Sequence, residues 1–112
     1  MYDAKENKLD PVLGQDVRSS TGTQGFVKDA PIDLVYVADL GKTDRNSRAE
    51  RDFYMAADVG FIAENVYLFC ASEGLAVVAR GSVDRPALSK VMNLRADQKI
   101  LLAQTVGYPR SN

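Results

Sequence analysis

The chain has 112 residues, 46% hydrophobic and 26% charged with four prolines, which is ordinary globular material for a single domain with one core. Fourteen Lys and Arg against fifteen Asp and Glu give a net charge of −1, so no long-range field favours nucleic acid or an anionic membrane. No apolar run reaches the roughly 18 to 20 residues needed to cross a bilayer, and MYDAKENKLD lacks the basic start and apolar stretch of a signal peptide. A soluble, cytoplasmic protein is expected.

Cys70 is the single cysteine, so no internal disulfide forms, and the chain contains no histidine. Ser-His-Asp and Cys-His machinery, His-containing zinc sites and an imidazole acid or base are therefore excluded unless a partner chain supplies them. If the chain is an enzyme, a cofactor carries the chemistry. No catalytic side chain and no metal-ligand set is assigned.

In chain order, Tyr2 to Lys5 and Lys8 to Val12 read as two short strands around a turn at Glu6-Asn7. A two-stranded hairpin is marginal without something to lie against, so it looks like a segment normally preceded by more protein. Residues 13 to 31 read as loop and short helix, with Asp16 as a candidate cap. Ile32 to Ala38 (IDLVYVA) is a β-branched apolar run expected to form a strand covered on both faces. Leu40 to Arg48 is polar and reads as a solvated loop.

The strongest periodic signal lies between Arg48 and Glu73. Met55, Val59, Ile62, Val66, Phe69 and Cys70 recur at steps of three and four and form one helical stripe. A helix from Phe53 to Glu73 would span about 30 Å, stopped by Gly74. Tyr54, Ala57, Phe61, Leu68 and Ala71 form a second apolar band, separated from the stripe by a narrow polar strip at Asp58, Asn65 and Ser72. A helix apolar on two sides must be covered on two sides, which points to a central helix or a subunit interface. Leu75 to Ala79 then reads as a buried strand leaving through Arg80-Gly81. Asp84 with Pro86 predicts a capped short helix running to Met92, and Lys99 to Val106 a last strand. The expected architecture is α+β with a long central helix, a short second helix and a small mixed sheet.

Thr21 to Phe26 (TGTQGF) matches neither the Rossmann fingerprint nor a P-loop and reads as a turn. Asp29, Asp33, Asp39 and Asp44 are scattered without metal-ligand spacing and read as solvated surface. Cys70, on the apolar stripe, reads as an inert buried thiol. Arg45, Arg48 and Arg51 read as a solvated basic cluster at the helix start. Arg80-Gly81 can be read in two ways. Glycine at a strand end lets backbone N–H groups approach a planar ligand, and turn geometry alone would equally explain it.

The stretch from Ala57 to Arg110 resembles the C-terminal half of the nitroreductase family of flavin enzymes, nearest its SagB-type dehydrogenase branch. The matching pieces are Asp58-Val59-Gly60, Ala63-Glu64-Asn65-Val66-Tyr67-Leu68, Gly74-Leu75, Arg80-Gly81 and Gln104-Thr105-Val106-Gly107-Tyr108-Pro109. APIDLVYVADL is similar to the strand before the family's central helix, and YDAKENKLDPV to the preceding hairpin. The resemblance implies an obligate homodimer with the long helix at the interface and FMN held between subunits. It implies Arg80 and Gly81 against the flavin ring and Arg110 at the FMN phosphate. It also implies hydride transfer from NAD(P)H through FMN to a nitroaromatic, quinone or related small-molecule acceptor. The family's N-terminal Arg-Arg-Ser-type phosphate motif does not precede Met1, and Arg18-Ser19-Ser20, which follows the hairpin, is not that motif. Residues 1–112 therefore read as a single nitroreductase-like domain without the N-terminal part of the family fold, either a shortened relative that compensates by dimerising or a fragment of a longer gene product. The alternative is a flavin-free remnant serving as a dimerisation or interaction module.

Overall fold

The computed structural model describes residues 1–43 and 47–110, so Asp44 and Arg45 lie outside the described residues. A hairpin comes first, with strands β1 (Tyr2–Asp3) and β2 (Lys8–Leu9). Its turn is built by Asp3, whose Oδ1 accepts from the Lys5 and Glu6 N–H groups, and by Asn7 at φ +48°. Short 3-10 turns follow at Arg18–Ser20 and Val27–Asp29. Next come β3 (Ile32–Asp39), a 3-10 turn at Leu40–Lys42 and α1 (Arg48–Ser72). The chain closes with β4 (Ala76–Arg80), α2 (Arg85–Val91) and β5 (Gln98–Gly107). Asp16 does not cap the first 3-10 turn as a helix cap would. Its carboxylate instead takes the backbone and guanidinium N–H groups of Arg18.

Both ends of α1 are set by local chemistry. Ser47 Oγ accepts from the Glu50 N–H at 3.1 Å, which satisfies one of the free donors of the first turn. Gly74, at φ +67°, reverses the chain. The Leu75 N–H then reaches the Cys70 carbonyl at 2.8 Å and the Gly74 N–H reaches Ala71, a Schellman closure that needs a residue without a Cβ penalty. In α2, Asp84 accepts from the Ala87 N–H at 3.1 Å and Pro86 sits in the first turn, as the sequence predicts. Asn93, at φ +52°, closes this helix in the same manner.

The sheet has the order β3-β5-β4, and both pairings are antiparallel, so the expected mixed sheet is corrected. The helix crossover from β3 to β4 does make those two strands run the same way. The last strand of the chain, β5, inserts between them and opposes both. A second correction follows from this order. IDLVYVA and LAVVA, read as buried strands, form the two edges, and β3 is only half-buried along most of its length. The central strand is β5, which carries the buried Ile100, Ala103, Gln104 and Thr105. A bulge at Leu101 shifts its register against β3 between Tyr36 and Val37. Arg85 takes up the carbonyls there, donating to Ile100 O at 3.1 Å and Leu101 O at 2.8 Å.

Helix α1 lies across β4 and β5 on one face, while α2 and the 3-10 segment cover the other. Gln104 is fully buried and ties β5 to α1 by donating to the Ala63 carbonyl at 3.1 Å while accepting from the Tyr36 hydroxyl. Burial and the neighbouring Cys70 push the Tyr36 phenol above its usual range. The Tyr67 hydroxyl oxygen accepts from the Ala79 N–H at 2.7 Å, blunting the β4 edge. Among the described residues, no helix is long and apolar enough to cross a membrane.

The stripe predicted for α1 is only partly covered. Ala63 and Cys70 are buried, and Met55, Val59 and Val66 are half-buried, but Ile62 and Phe69 remain exposed beside the sheet. The outward band is open, with Phe61 at 72% and Leu68 at 60% exposure. Within one chain, the helix is covered on one side.

Candidate functional site

Arg80 ends β4 with its guanidinium inside the molecule, the side chain being 1% exposed. Its Nε donates to Thr105 Oγ1 at 2.7 Å and its Nη1 to the Thr21 carbonyl at 2.7 Å. Its Nη2 reaches Asp33 Oδ1 at 3.1 Å and Thr21 Oγ1 at 3.4 Å. The Thr105 hydroxyl, having accepted from Arg80, donates to Asp33 Oδ1 at 2.5 Å. Asp33, Thr105 and Arg80 come together because all three project from the sheet face opposite α1. This is a buried, hydrogen-bonded ion pair, and its charge is compensated from within the chain.

Two expectations are corrected here. Asp33 is not solvated surface, since its side chain is 1% exposed. Thr21-Gly22 is more than a turn, because a Cβ built on Gly22 would stand 1.9 Å from Arg80 Nη1. Thr21, Gly22, Asp33 and Thr105 thus form a cluster that motif reading missed. The available signal was an aspartate inside an apolar strand run, which has to find a partner when it is buried. Asp39 also differs from the solvated reading, as Arg95 grips both its oxygens at 2.9 and 3.0 Å and holds its carboxyl below the usual range. In the basic cluster, Arg48 is exposed and pairs with Asp52 at 3.7 Å, whereas Arg51 is half-buried.

Gly81 follows immediately and is exposed, with nothing within 4 Å of a Cβ built on it. Its carbonyl accepts from the Val83 N–H at 3.0 Å and from Arg85 Nη1 at 3.3 Å. The loop is tied to the 3-10 segment through Thr23 and Ser82, whose hydroxyls lie 2.7 Å apart. The Gly81 backbone is therefore fixed and unobstructed.

Arg110 stands at the opposite end of the sheet, past the pairing of Ala76 with Gly107. The four residue steps from Ala76 to Arg80 put about 13 Å of strand between the two ends. Arg110 is exposed and has no ion-pair partner among the described residues. It borders a cleft of about 370 Å³ with Phe26, Pro31, Val78 and Tyr108 on its walls and Asp29 at its rim. The structure joins Arg80 to Gly81 and separates both from Arg110. Among the described residues lining that cleft, Arg110 is the one cationic group. Among the described residues, no group of three or more His, Cys, Asp or Glu is placed to hold a metal ion.

Residues 2–108 match the Nitroreductase family. A provisionally named nitroreductase of Methanocaldococcus jannaschii is 30% identical over 95 residues, covering 84% of this chain and 48% of that protein. The crystal structure of a provisionally named nitroreductase of Ralstonia eutropha superposes with a TM-score of 0.90 at 41% identity, over 99% of this chain and 53% of that one. A provisionally named NADH oxidase of Clostridium acetobutylicum superposes at 0.57 with 29% identity, over 77% and 51% of the two chains. The chain thus spans about half the length of these relatives. With a match running almost from end to end and the α+β layering shared at 0.90, this chain belongs to the nitroreductase family.

Proposed function

We propose that the chain contributes to an FMN-dependent NAD(P)H oxidoreductase of the nitroreductase type, acting as a homodimer in the cytoplasm and nearest the SagB-type dehydrogenase branch. The observation that carries this reading is the fixed, open Gly81 backbone on a family fold. A Cβ built on Gly81 meets nothing within 4 Å, so that side of the turn offers open space for a planar ring. Arg110, exposed at a cleft of about 370 Å³, fits an anionic phosphate end. The Arg80 guanidinium does not fit as a flavin contact, because its donors are occupied inside the chain. Its role in this reading is to position the Gly81 turn.

Bound FMN would supply hydride acceptance from NAD(P)H and electron delivery to a nitroaromatic, quinone or related acceptor. The chain's own residues hold the loop and one cation and leave the remaining walls to a second subunit. The outward band of α1, with Phe61 and Leu68 exposed, is the surface proposed for that contact. The decisive measurement is the visible spectrum of the purified protein titrated with FMN, followed by NADH and NADPH oxidation. Flavin binding perturbed by Gly81→Glu supports the proposal. A protein that binds no FMN and oxidises neither nicotinamide is the flavin-free interaction module instead, a reading favoured by the half-length match and the occupied Arg80.

A further inference from the structure

Arg85 opens α2, an end of the helix where the macrodipole disfavours a cation, and no carboxylate pairs with it among the described residues. Its partners are three backbone carbonyls. Nε donates to Ile100 O at 3.1 Å, Nη2 to Leu101 O at 2.8 Å and Nη1 to Gly81 O at 3.3 Å.

The sheet explains why these acceptors are available. Strand β4 stops pairing at Arg80, opposite Ala103, while β5 begins at Gln98, so residues 98–102 have no β4 beside them. The bulge at Leu101 brings two consecutive carbonyls, those of Ile100 and Leu101, to one guanidinium. A planar fork of N–H donors can hold both and keep its third nitrogen for Gly81, which a point-like ammonium on a flexible stem cannot do. Arg85 thus pins the Gly81 turn to the central strand.

The pin has a directional effect. The Gly81 carbonyl accepts from Arg85 and from the Val83 N–H, and Val83 by itself closes only a three-residue turn. The next peptide is trans and planar, so the Ser82 N–H points the opposite way. Among the described residues that N–H has no acceptor.

We propose that Arg85 is a positioning residue for the cofactor turn: by bridging the β5 bulge and the Gly81 carbonyl, it holds the Ser82 N–H as a preoriented donor for a ligand seated there. The inference rests on the FMN-binding role proposed for Gly81. Because Arg85 acts through the backbone, the shape of its guanidinium matters and its charge alone does not.

The test compares the full chain with Arg85→Lys and Arg85→Ala. FMN affinity and the visible spectrum of bound FMN are measured well below the melting temperature, and Val83 amide exchange is followed by NMR without FMN. Arg85→Lys should keep the circular dichroism of the parent, bind FMN about tenfold more weakly and exchange the Val83 amide about tenfold faster. At saturating FMN its flavin band should still differ from the parent's, a change that a residue serving stability alone would not produce. Millimolar methylguanidinium should restore affinity and exchange rate in Arg85→Ala. Parent-like FMN binding by Arg85→Lys overturns the inference, since charge would then suffice. Weakened binding with unchanged Val83 exchange also overturns it, because Arg85 would then act on the ligand directly. Loss of the circular dichroism spectrum in Arg85→Lys does so too, as Arg85 would then serve the fold. A parent that takes up no FMN defeats the role proposed for Gly81 separately, and an unchanged Val83 rate in Arg85→Lys would still overturn Arg85 as the pin of the turn.

Discussion

Arg80 shows how a residue's surroundings decide its role. As a sequence position at a strand end it is a plausible ligand contact, yet three partners consume its donors and Asp33 neutralises its charge. Breaking such a buried pair from one side is costly. Arg80→Met is expected to lower unfolding free energy by about 3–5 kcal/mol, measured by urea denaturation, whereas adding Asp33→Asn should recover part of the loss because the stranded charge is gone. Gly22→Ala acts on the same cluster from outside. Its Cβ would stand 1.9 Å from Nη1, and although that atom ends a long side chain, its bonds to Thr21 leave it nowhere to retreat. A loss of about 2–4 kcal/mol is expected in the same assay. On the surface, the Arg18 guanidinium grips Asp16 and brings its carboxyl from 3.8 down to about 2. Because the folded value is the lower one, the pair's contribution is present above the ordinary carboxylate range and is lost as pH falls through about 2. A carbon-detected NMR titration of Asp16 should show this midpoint and its return toward 3.8 in Arg18→Ala.

Element boundaries follow from a few capping groups that the sequence states openly. Replacing Gly74 by Ala puts a Cβ at φ +67° and should cost about 1–2 kcal/mol, read as a lower urea midpoint with unchanged helix content. Asp84→Ala removes the acceptor for the Ala87 N–H and should cost about 1 kcal/mol. These same residues explain why the element order was legible: Gly74, Asp84 and Pro86 act locally, and the three-and-four spacing from Met55 to Cys70 depends only on helix geometry. Strand environment was not legible. IDLVYVA has the composition of a doubly covered strand, but composition records what a segment needs buried, while sheet order decides what covers it within one chain. Likewise Thr21 and Asp33 meet across the fold, so no local spacing announces them.

For the molecule as a whole, the family and the α+β layering were legible, because the match depends on ordered segments spread along the chain. The division of Arg80, Gly81 and Arg110 between two ends of the sheet was not, since strand direction and register separate residues that a motif list places together. If the outward band of α1 joins two copies, Phe61→Glu with Leu68→Glu should convert a dimer to a monomer in sedimentation velocity while circular dichroism is retained. The position of β5 carries one more consequence. During translation, β3 and β4 leave the ribosome without the strand that unites them, and neither can pair until Gln98–Gly107 has emerged. Vectorial synthesis thus yields no partial sheet, and nascent chains stalled before residue 98 should stay protease-sensitive and dependent on chaperones.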